Sequence, residues 1–376
     1  MKADQYDFVG LDVHGKTIAV AVARGEGGEA EYVGEVPNST DGLVRLIKKV
    51  GRTDRSLRFC YEAGPCGYVV YRELVARGHD CAVVAPSLIP MRPGDRVKTD
   101  RRDAEMLARL HRAGELTTVT VLEPEREAIR DLTRLREDAK RRRHVQRQQL
   151  NALLLRSGHR YSGKTRWTRA HWRWLESLRF EHPTQHLVLQ EQIEAMKWSD
   201  HRIRTIEKEI DRVARQSPWW PTIEALMALR GIAMFNAVNL VAELGDISRF
   251  ESPQQLMSYL GLVPSQHSSG ERTRHGGITK TGNHHLRTGL IEAAWAYRFP
   301  ARKSAWIERR AERTGPDVQK IAWEAQKRLS NRYRCLILRG KPVQKVVVAV
   351  ARELTGFIWA IAREIDGMHH GSRAVA

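Results

Sequence analysis

Seven residues, Lys98 to Ala104 (KTDRRDA), set two carboxylates, Asp100 and Asp103, three positions apart at the mouth of a helical run, AEMLARLHRAGE. At that spacing both project from one face of the first helical turn, where they can hold one cation together. The same residues would also suit a plain helix N-terminus, with Asp100 as the cap and both charges complementing the macrodipole. The choice turns on whether other carboxylates converge on the same place. Asp12 interrupts the apolar run FVGLDV (Phe8 to Val13), and Glu62 stands near the end of LRFCYEA (Leu57 to Ala63). Taken singly, Asp12 could be satisfied by turn amides and Glu62 could cap a strand end over Gly64-Pro65.

The elements that must position these acids are legible as a series. FVGLDV is nearly continuous in apolar residues, as expected of a strand buried on both faces. HGK (His14 to Lys16) turns into TIAVAVA (Thr17 to Ala23), and EYVGEV (Glu31 to Val36) follows as a third strand. NSTD (Asn38 to Asp41) caps an amphipathic helix through Val50, and LRFCYEA is the fourth strand. YVVYRELVARG (Tyr68 to Gly78) is a helix, HDCAVVAP a fifth strand, and KTDRRDA opens the helix after it. The order βββαβαβα is that of the ribonuclease H fold, an identification made by fold-level analogy. In that arrangement the first and fourth strands are neighbours, which brings Asp12 and Glu62 side by side with the Asp100/Asp103 helix nearby. Four carboxylates in one pocket would repel and be driven to protonate, and a divalent metal resolves the conflict. Mg²⁺ takes oxygen ligands, and a pair of such ions stabilises both the attacking and leaving oxygens of a phosphoryl displacement. GLDVHGKTIAVAVA also fits the first phosphate hairpin of actin-like sugar kinases. No second Gly-rich phosphate loop follows, however, and KTDRRDA has no place in that scheme.

Charge points to the partner. Against 44 Asp plus Glu stand 63 Lys plus Arg, a formal net charge of +19, so a polyanion is the expected counter-charge. The N-terminus lacks the apolar core of a signal peptide, and no apolar run is long enough to span a bilayer, so a cytoplasmic, nucleoid-associated protein with no membrane partner is expected. Cys60, Cys66, Cys81 and Cys335 show neither CxxC spacing nor a disulfide framework, and no chemistry is assigned to them.

Basic residues concentrate in REAIRDLTRLREDAKRRRHVQRQQLNALLLRSG (Arg126 to Gly158), a helix whose centre carries Lys140, Arg141, Arg142 and Arg143. Such a centre suits a phosphate backbone, the alternative being a solvated charged face. Arg166 and Trp167 open a stretch that interleaves Trp167, Trp172 and Trp174 with cations. That pattern can stack bases, although tryptophan at helical spacing more often belongs to a core. Leu187 to Val213 continues as a second amphipathic helix, and an antiparallel pair with the first would form a protruding hairpin suited to dimerisation.

SPWWP (Ser217 to Pro221) marks a boundary, and the helical region beyond it contains the turn Arg230-Gly231-Ile232. Such a turn can present amides to phosphate. Ala233 replaces the second glycine usual in DNA-binding turns of this kind, leaving packing as the alternative role. The polar segment Pro264 to Asn283 reads as a long functional loop. In it Ser268 and Ser269 precede Gly270 with Arg272, Arg274 and Lys280 nearby, where an activated hydroxyl could attack a phosphodiester or where Ser-Gly merely makes a turn. From Lys303 onward the chain reads as helical, with the tail from His369 as disordered.

Together GLDVH, YEAGP, KTDRRDA, AELGDISRF and GLVPSQHSSGERTRHGGITKTGNHHLR resemble the DEDD-class transposases of insertion sequences, which are RNA-guided serine recombinases. The resemblance spans almost the whole chain, least securely from Arg160 to Pro221 and after Arg302. It implies a resolvase-like ribonuclease H domain (residues 1–122) binding Mg²⁺ through Asp12, Glu62, Asp100 and Asp103. A basic coiled-coil arm (123–217), a mostly helical transposase domain (218–368) and the tail (369–376) would follow. Ser269, directly before the glycine, would form a covalent phosphoserine link with DNA, Ser268 being the alternative. A structured guide RNA and a homodimer assembling to a tetramer are implied as partners. The alternative activity is a structure-selective, junction-resolving endonuclease that uses the acidic tetrad alone.

Overall fold

The computed structural model describes residues 5–51, 55–90, 99–269 and 272–373, and the side chains of 267–269, 272–275 and 366–373 lie outside that description. The chain forms two compact units, Met1–Leu122 and Glu123–Ala376.

The first unit contains β1 (Tyr6–Val13), β2 (Thr17–Ala23), β3 (Glu31–Pro37), α1 (Thr40–Val50), β4 (Ser56–Glu62), α2 (Val69–Ala76), β5 (Asp80–Val84) and α3 (Asp100–Ala113). The element order matches the expectation, and the sheet order is β3-β2-β1-β4-β5. β1 is antiparallel to β2 and parallel to β4, with Leu11 opposite Tyr61. Because β1 is central, it is buried on both faces, which explains its unbroken apolar run. Val9 and Leu11 share one core with Leu43, Leu46, Phe59 and Leu74, beneath α1 and α2. Phe8, Ala19 and Ala21 face the other way, against Ala104 and Ala108 of α3. At the start of β1, Asp7 is fully buried and accepts from Arg24 Nη1 at 2.7 Å and from the Gly25 amide at 3.3 Å. Cys60 and Cys81 are buried among apolar side chains, and burial pushes the Cys81 thiol up to about 12, so neither is poised as a thiolate.

The second unit begins with α4 (Pro124–Arg156), α5 (Arg169–Ser177) and α6 (Pro183–Gln216). Arg136 pairs with Glu207 at 2.6 Å, Arg143 with Asp200 at 2.7 Å, and Ser199 Oγ donates to Gln146 at 2.6 Å. Numbers rising along α4 meet numbers falling along α6, so the pair is antiparallel. Its far end closes over Leu150, Leu154, Leu175, Leu189 and Met196, with Trp167, Trp172 and Trp174 packed against them. Trp167 is half-buried against this cluster, with Arg147 over its ring at 4.8 Å.

After α7 (Trp220–Leu226), α8 (Met234–Leu244) and α9 (Pro253–Tyr259) come β6 (Pro264–Ser269) and β7 (Arg272–Ile278), then α10 (His284–Ala294), α11 (Ala305–Ala311), α12 (Pro316–Leu338) and α13 (Val343–Arg373). Four stretches singled out in the sequence take their place here. Ile129 and Ala139 of α4 and Ile203 and Ile210 of α6 share one apolar core with α7, α8, α10, α12 and α13. The segment read as a long loop is largely an antiparallel hairpin, Ser268 pairing with Thr273 and Ser269 with Arg272. Of the two roles left open for the Arg230–Ile232 turn, packing fits Gly231 (φ +86°), where a Cβ would lie 2.3 Å from the Ala293 carbonyl oxygen. The terminal stretch through His369 and His370 is helical to Arg373. No helix among the described residues is long and apolar enough to cross a membrane.

Candidate metal centre

α3 fixes the position of the acids. Thr99 caps it, its Oγ1 accepting from the Arg102 amide at 3.3 Å. Capping therefore falls to Thr99, and Asp100 is the first helical residue with its carboxylate left for another role. The helix lies directly on β1, where a Cβ on Gly10 would fall 2.3 Å from Ala104 O and 2.4 Å from Ala108 N. Only glycine permits that approach. Residues of one strand face alternate by two, so Asp12 shares the α3 side of β1 with Phe8 and Gly10.

One ligand atom each from Asp12, His14 and Asp100 lies within 4.8 Å of the others. His14 Nε2 stands 3.2 Å from Asp12 Oδ2 and 3.4 Å from Asp100 Oδ2. Its backbone is pinned in the β1–β2 turn, the amide donating to Thr17 O at 2.9 Å and the carbonyl accepting from Asn38 Nδ2 at 2.7 Å. Burial raises the Asp12 carboxyl above the ordinary carboxylate value; His14 opposes this, and the charges of Asp103 and Asp100 add to it. Asp103 is thus within electrostatic reach of Asp12, three residues along α3 from Asp100.

Glu62 ends β4, one residue beyond the Leu11–Tyr61 pairing, on the sheet face shared with Cys60, whose Sγ donates to Leu107 O of α3 at 3.5 Å. It is exposed, and its carboxylate lies outside the close group. His14 is the residue that sequence reasoning missed. Its signal was the Asp-x-His spacing across a strand end, read there only as a turn.

Two carboxylates and an imidazole around one point, with the charge of Asp103 within reach, fit a divalent cation. Burial is the main cause of the raised Asp12 carboxyl, and the charges of Asp103 and Asp100 add to it. The donor set itself, hard oxygen with one imidazole, suits Mg²⁺ or Mn²⁺ better than a thiophilic metal.

The remaining candidates lie in the second unit. Ser268 and Ser269 sit on β6 and Arg272 and Arg274 on β7, with their side chains outside the described residues. Lys280 is exposed at φ +58° beyond β7. On α4, Arg142 is exposed, Arg141 pairs with Asp138 at 3.1 Å, Lys140 is half-buried, and Arg143 is engaged by Asp200. Arg166 is exposed beside a cavity lined also by Tyr161, His171 and Trp174.

A buried polar network, also missed, anchors the base of the hairpin. Glu243 of α8, its side chain 1% exposed, accepts from Arg134 Nε at 2.6 Å and Nη2 at 2.9 Å and from Asn283 Nδ2 at 2.5 Å. Asn283 Oδ1 in turn caps α10 by accepting from the amides of His285 and Leu286. An Asn immediately before HHLR was the available signal for the cap.

A family model described as Transposase IS116/IS110/IS902 family matches residues 223–309, and a second, a DEDD transposase model, matches residues 9–158. A protein of Sinorhizobium fredii named as a putative transposase is 49% identical over 95% of this chain and 88% of its own length. The transposase for insertion sequence element IS1533 of Leptospira borgpetersenii is 28% identical over 90% of this chain and 99% of its own.

Proposed function

Because the chain belongs to the IS116/IS110/IS902 transposase family and is a DNA-cutting enzyme of an insertion sequence, we propose that it cuts and rejoins DNA through a divalent-metal site in the first unit and a serine nucleophile in the second. The observation that carries this reading is the convergence of Asp12, His14 and Asp100.

Asp12, Asp100 and Asp103 would hold Mg²⁺, with Glu62 joining from the adjacent strand on the same sheet face. When bound, the ion supplies Lewis acidity and charge neutralisation at the attacked phosphodiester. His14 orients Asp12 and Asp100 through its Nε2 contacts, and the Gly10–α3 approach keeps those acids in register. Ser269 forms the new phosphorus–oxygen bond while the bond to the departing strand breaks; the serine gives up its proton and the departing strand oxygen gains one. The resulting phosphoserine ester retains the energy needed for a strand hydroxyl to reverse the step, so rejoining needs no further energy source. Placement of Ser269 at the end of β6, beside the hairpin tip, supports this role.

Guide RNA and assembly of a homodimer to a tetramer belong to the same reading. They are supported by the resemblance, by the +19 charge and by the antiparallel α4–α6 pair with its exposed basic residues, which would serve as the coiled-coil contact. Action on DNA places the protein in the cytoplasm at the nucleoid.

The test is cleavage of DNA carrying the element junction by the full chain, with and without its flanking RNA, in Mg²⁺ or in chelator. Loss of cleavage in chelator and in Asp12→Asn supports the reading; cleavage unaffected by both refutes it.

A further inference from the structure

Between α4, α8 and α10 lies a cleft of about 430 Å³ that the metal site and the serine do not use. Its size falls in the range of small-molecule sites. The walls carry the neutral hydrogen-bonding groups of Asn236 and Asn239 from α8 and of Thr288 and His284 from α10. Beside them stand the charged Arg136, Glu137, Lys140, Arg141 and Glu292. Burial, reinforced by His285, lowers the pKa of His284, so its ring offers one donor and one acceptor at neutral pH.

Asn239 is the informative residue. It is 8% exposed, and its Oδ1 is buried with no hydrogen-bond partner. A buried amide oxygen left unpaired costs stability, and a leucine of the same shape would not. Gly289 also lines the cleft, although a Cβ there would meet nothing nearer than Asn239 Nδ2 at 3.9 Å. Glycine weakens a helix interior, so neither sterics nor helix propensity explains it. Its effect is to leave the cleft open beside Asn239.

One wall is flat. Arg136 lies over the Phe235 ring at 4.2 Å, and its guanidinium is fixed by Nε and Nη2 hydrogen bonds to Glu207 at 2.8 and 2.6 Å. Aromatic rings and guanidinium planes are the surfaces on which unpaired bases stack. Lys140 and Arg141 also line the cleft from α4, and such cations contact backbone phosphate.

We propose that this cleft receives a single unpaired nucleotide of a bound polynucleotide, base inward against Phe235–Arg136 and the α8 amides, phosphate outward at Lys140 and Arg141. A flat base with both donors and acceptors on its edge matches the amides of Asn236 and Asn239. The Glu137 and Glu292 carboxylates that also line the cleft can accept from a base amino group while disfavouring a simple anion there. Unpaired DNA, exposed when strands are opened for cutting, and single-stranded RNA offer the same chemistry. The inference goes beyond the strand-transfer reading and does not depend on the metal centre.

The test uses the full chain in chelator, so that it stands apart from the acidic site. Single-stranded DNA carrying 4-thiothymidine and single-stranded RNA carrying 4-thiouridine are bound, irradiated and mapped to peptides by mass spectrometry. Cross-links are expected on the α8 and α10 cleft residues, with the responding arm identifying the source, DNA, RNA or both. Asn239→Leu should raise the melting temperature yet reduce these cross-links at least about fivefold, and the exposed-site variant His284→Ala should reduce them without affecting folding. Should Asn239→Leu fail to fold, His284→Ala alone decides. Cross-links confined to other surfaces, or undiminished in the folded variants, overturn the proposal.

Discussion

Gly10 of β1 lies beneath Ala108 of α3 so closely that a Cβ at residue 10 would fall 2.4 Å from the Ala108 amide nitrogen. This contact sets the height of α3 above the sheet, and with it the distance from Asp100 to Asp12.

Gly10→Ala should therefore separate the acids as well as strain the core. Overpacking of this kind costs about 1–3 kcal/mol. Urea unfolding should show that loss, and calorimetric Mn²⁺ titration of the folded variant should show weakened binding. Unchanged metal affinity would mean that the helix position does not govern the site.

His14 touches both acids through one nitrogen. Replacing it with alanine should lower metal affinity or DNA cleavage about 10- to 100-fold, the usual effect of losing an orienting neighbour. Asp12→Asn should be more severe, because it removes a ligand. Parallel titrations and cleavage rates for the two variants distinguish the roles; equal losses would make His14 a ligand in its own right.

The raised Asp12 carboxyl gives a pH signature. A carboxyl that holds its proton more tightly folded than unfolded favours the fold at low pH, and that contribution is lost as pH rises through the folded value. The metal-free protein should thus lose stability as pH rises from the ordinary carboxylate value through the raised Asp12 value. Added Mg²⁺ should restore it, with the gain in melting temperature vanishing at low pH, where protonated Asp12 no longer binds. In His14→Ala the interval should move upward, since His14 lowers the Asp12 value. Melting curves across pH, with and without Mg²⁺, read both shifts.

In the second unit, Arg134→Ala would leave Glu243 buried without its bidentate partner. Breaking such a pair costs about 3 kcal/mol. Because Glu243 also holds Asn283, hydrogen exchange at the His285 and Leu286 amides should quicken more than at the α12 core. Uniform change would deny the network a local role.

The sheet was legible because its strands are short apolar runs bounded by turn residues, and their sequential order admits few arrangements. Asp12, Asp100 and Asp103 stand out in the sequence as candidates because each breaks its local pattern, and the structure brings Asp12 and Asp100 together. His14 was not, since a histidine in a tight turn has no periodicity to betray it. The β6–β7 hairpin was hidden for a related reason: PSQHSS and RTRHGGI lack apolar alternation, and backbone pairing alone makes them strands. For Trp167 the sequence left two readings open, because cations beside an aromatic look alike whether the ring packs inward or faces a base, and the structure shows the ring half-buried against an apolar cluster. The packing of α4 and α6 into the shared core was illegible because Ile129, Ala139, Ile203 and Ile210 are spaced like any amphipathic helix, and only the tertiary structure names their partners.

The most direct measurement is capture of a denaturant-resistant protein–DNA adduct from full chain, Mg²⁺, flanking RNA and junction DNA. An adduct present in the unmodified protein and in Ser268→Ala, but absent in Ser269→Ala and in Asp12→Ala, is the predicted result. Cleavage with no adduct, indifferent to Ser269→Ala, would contradict the account and assign strand cutting to hydrolysis at the acidic site alone.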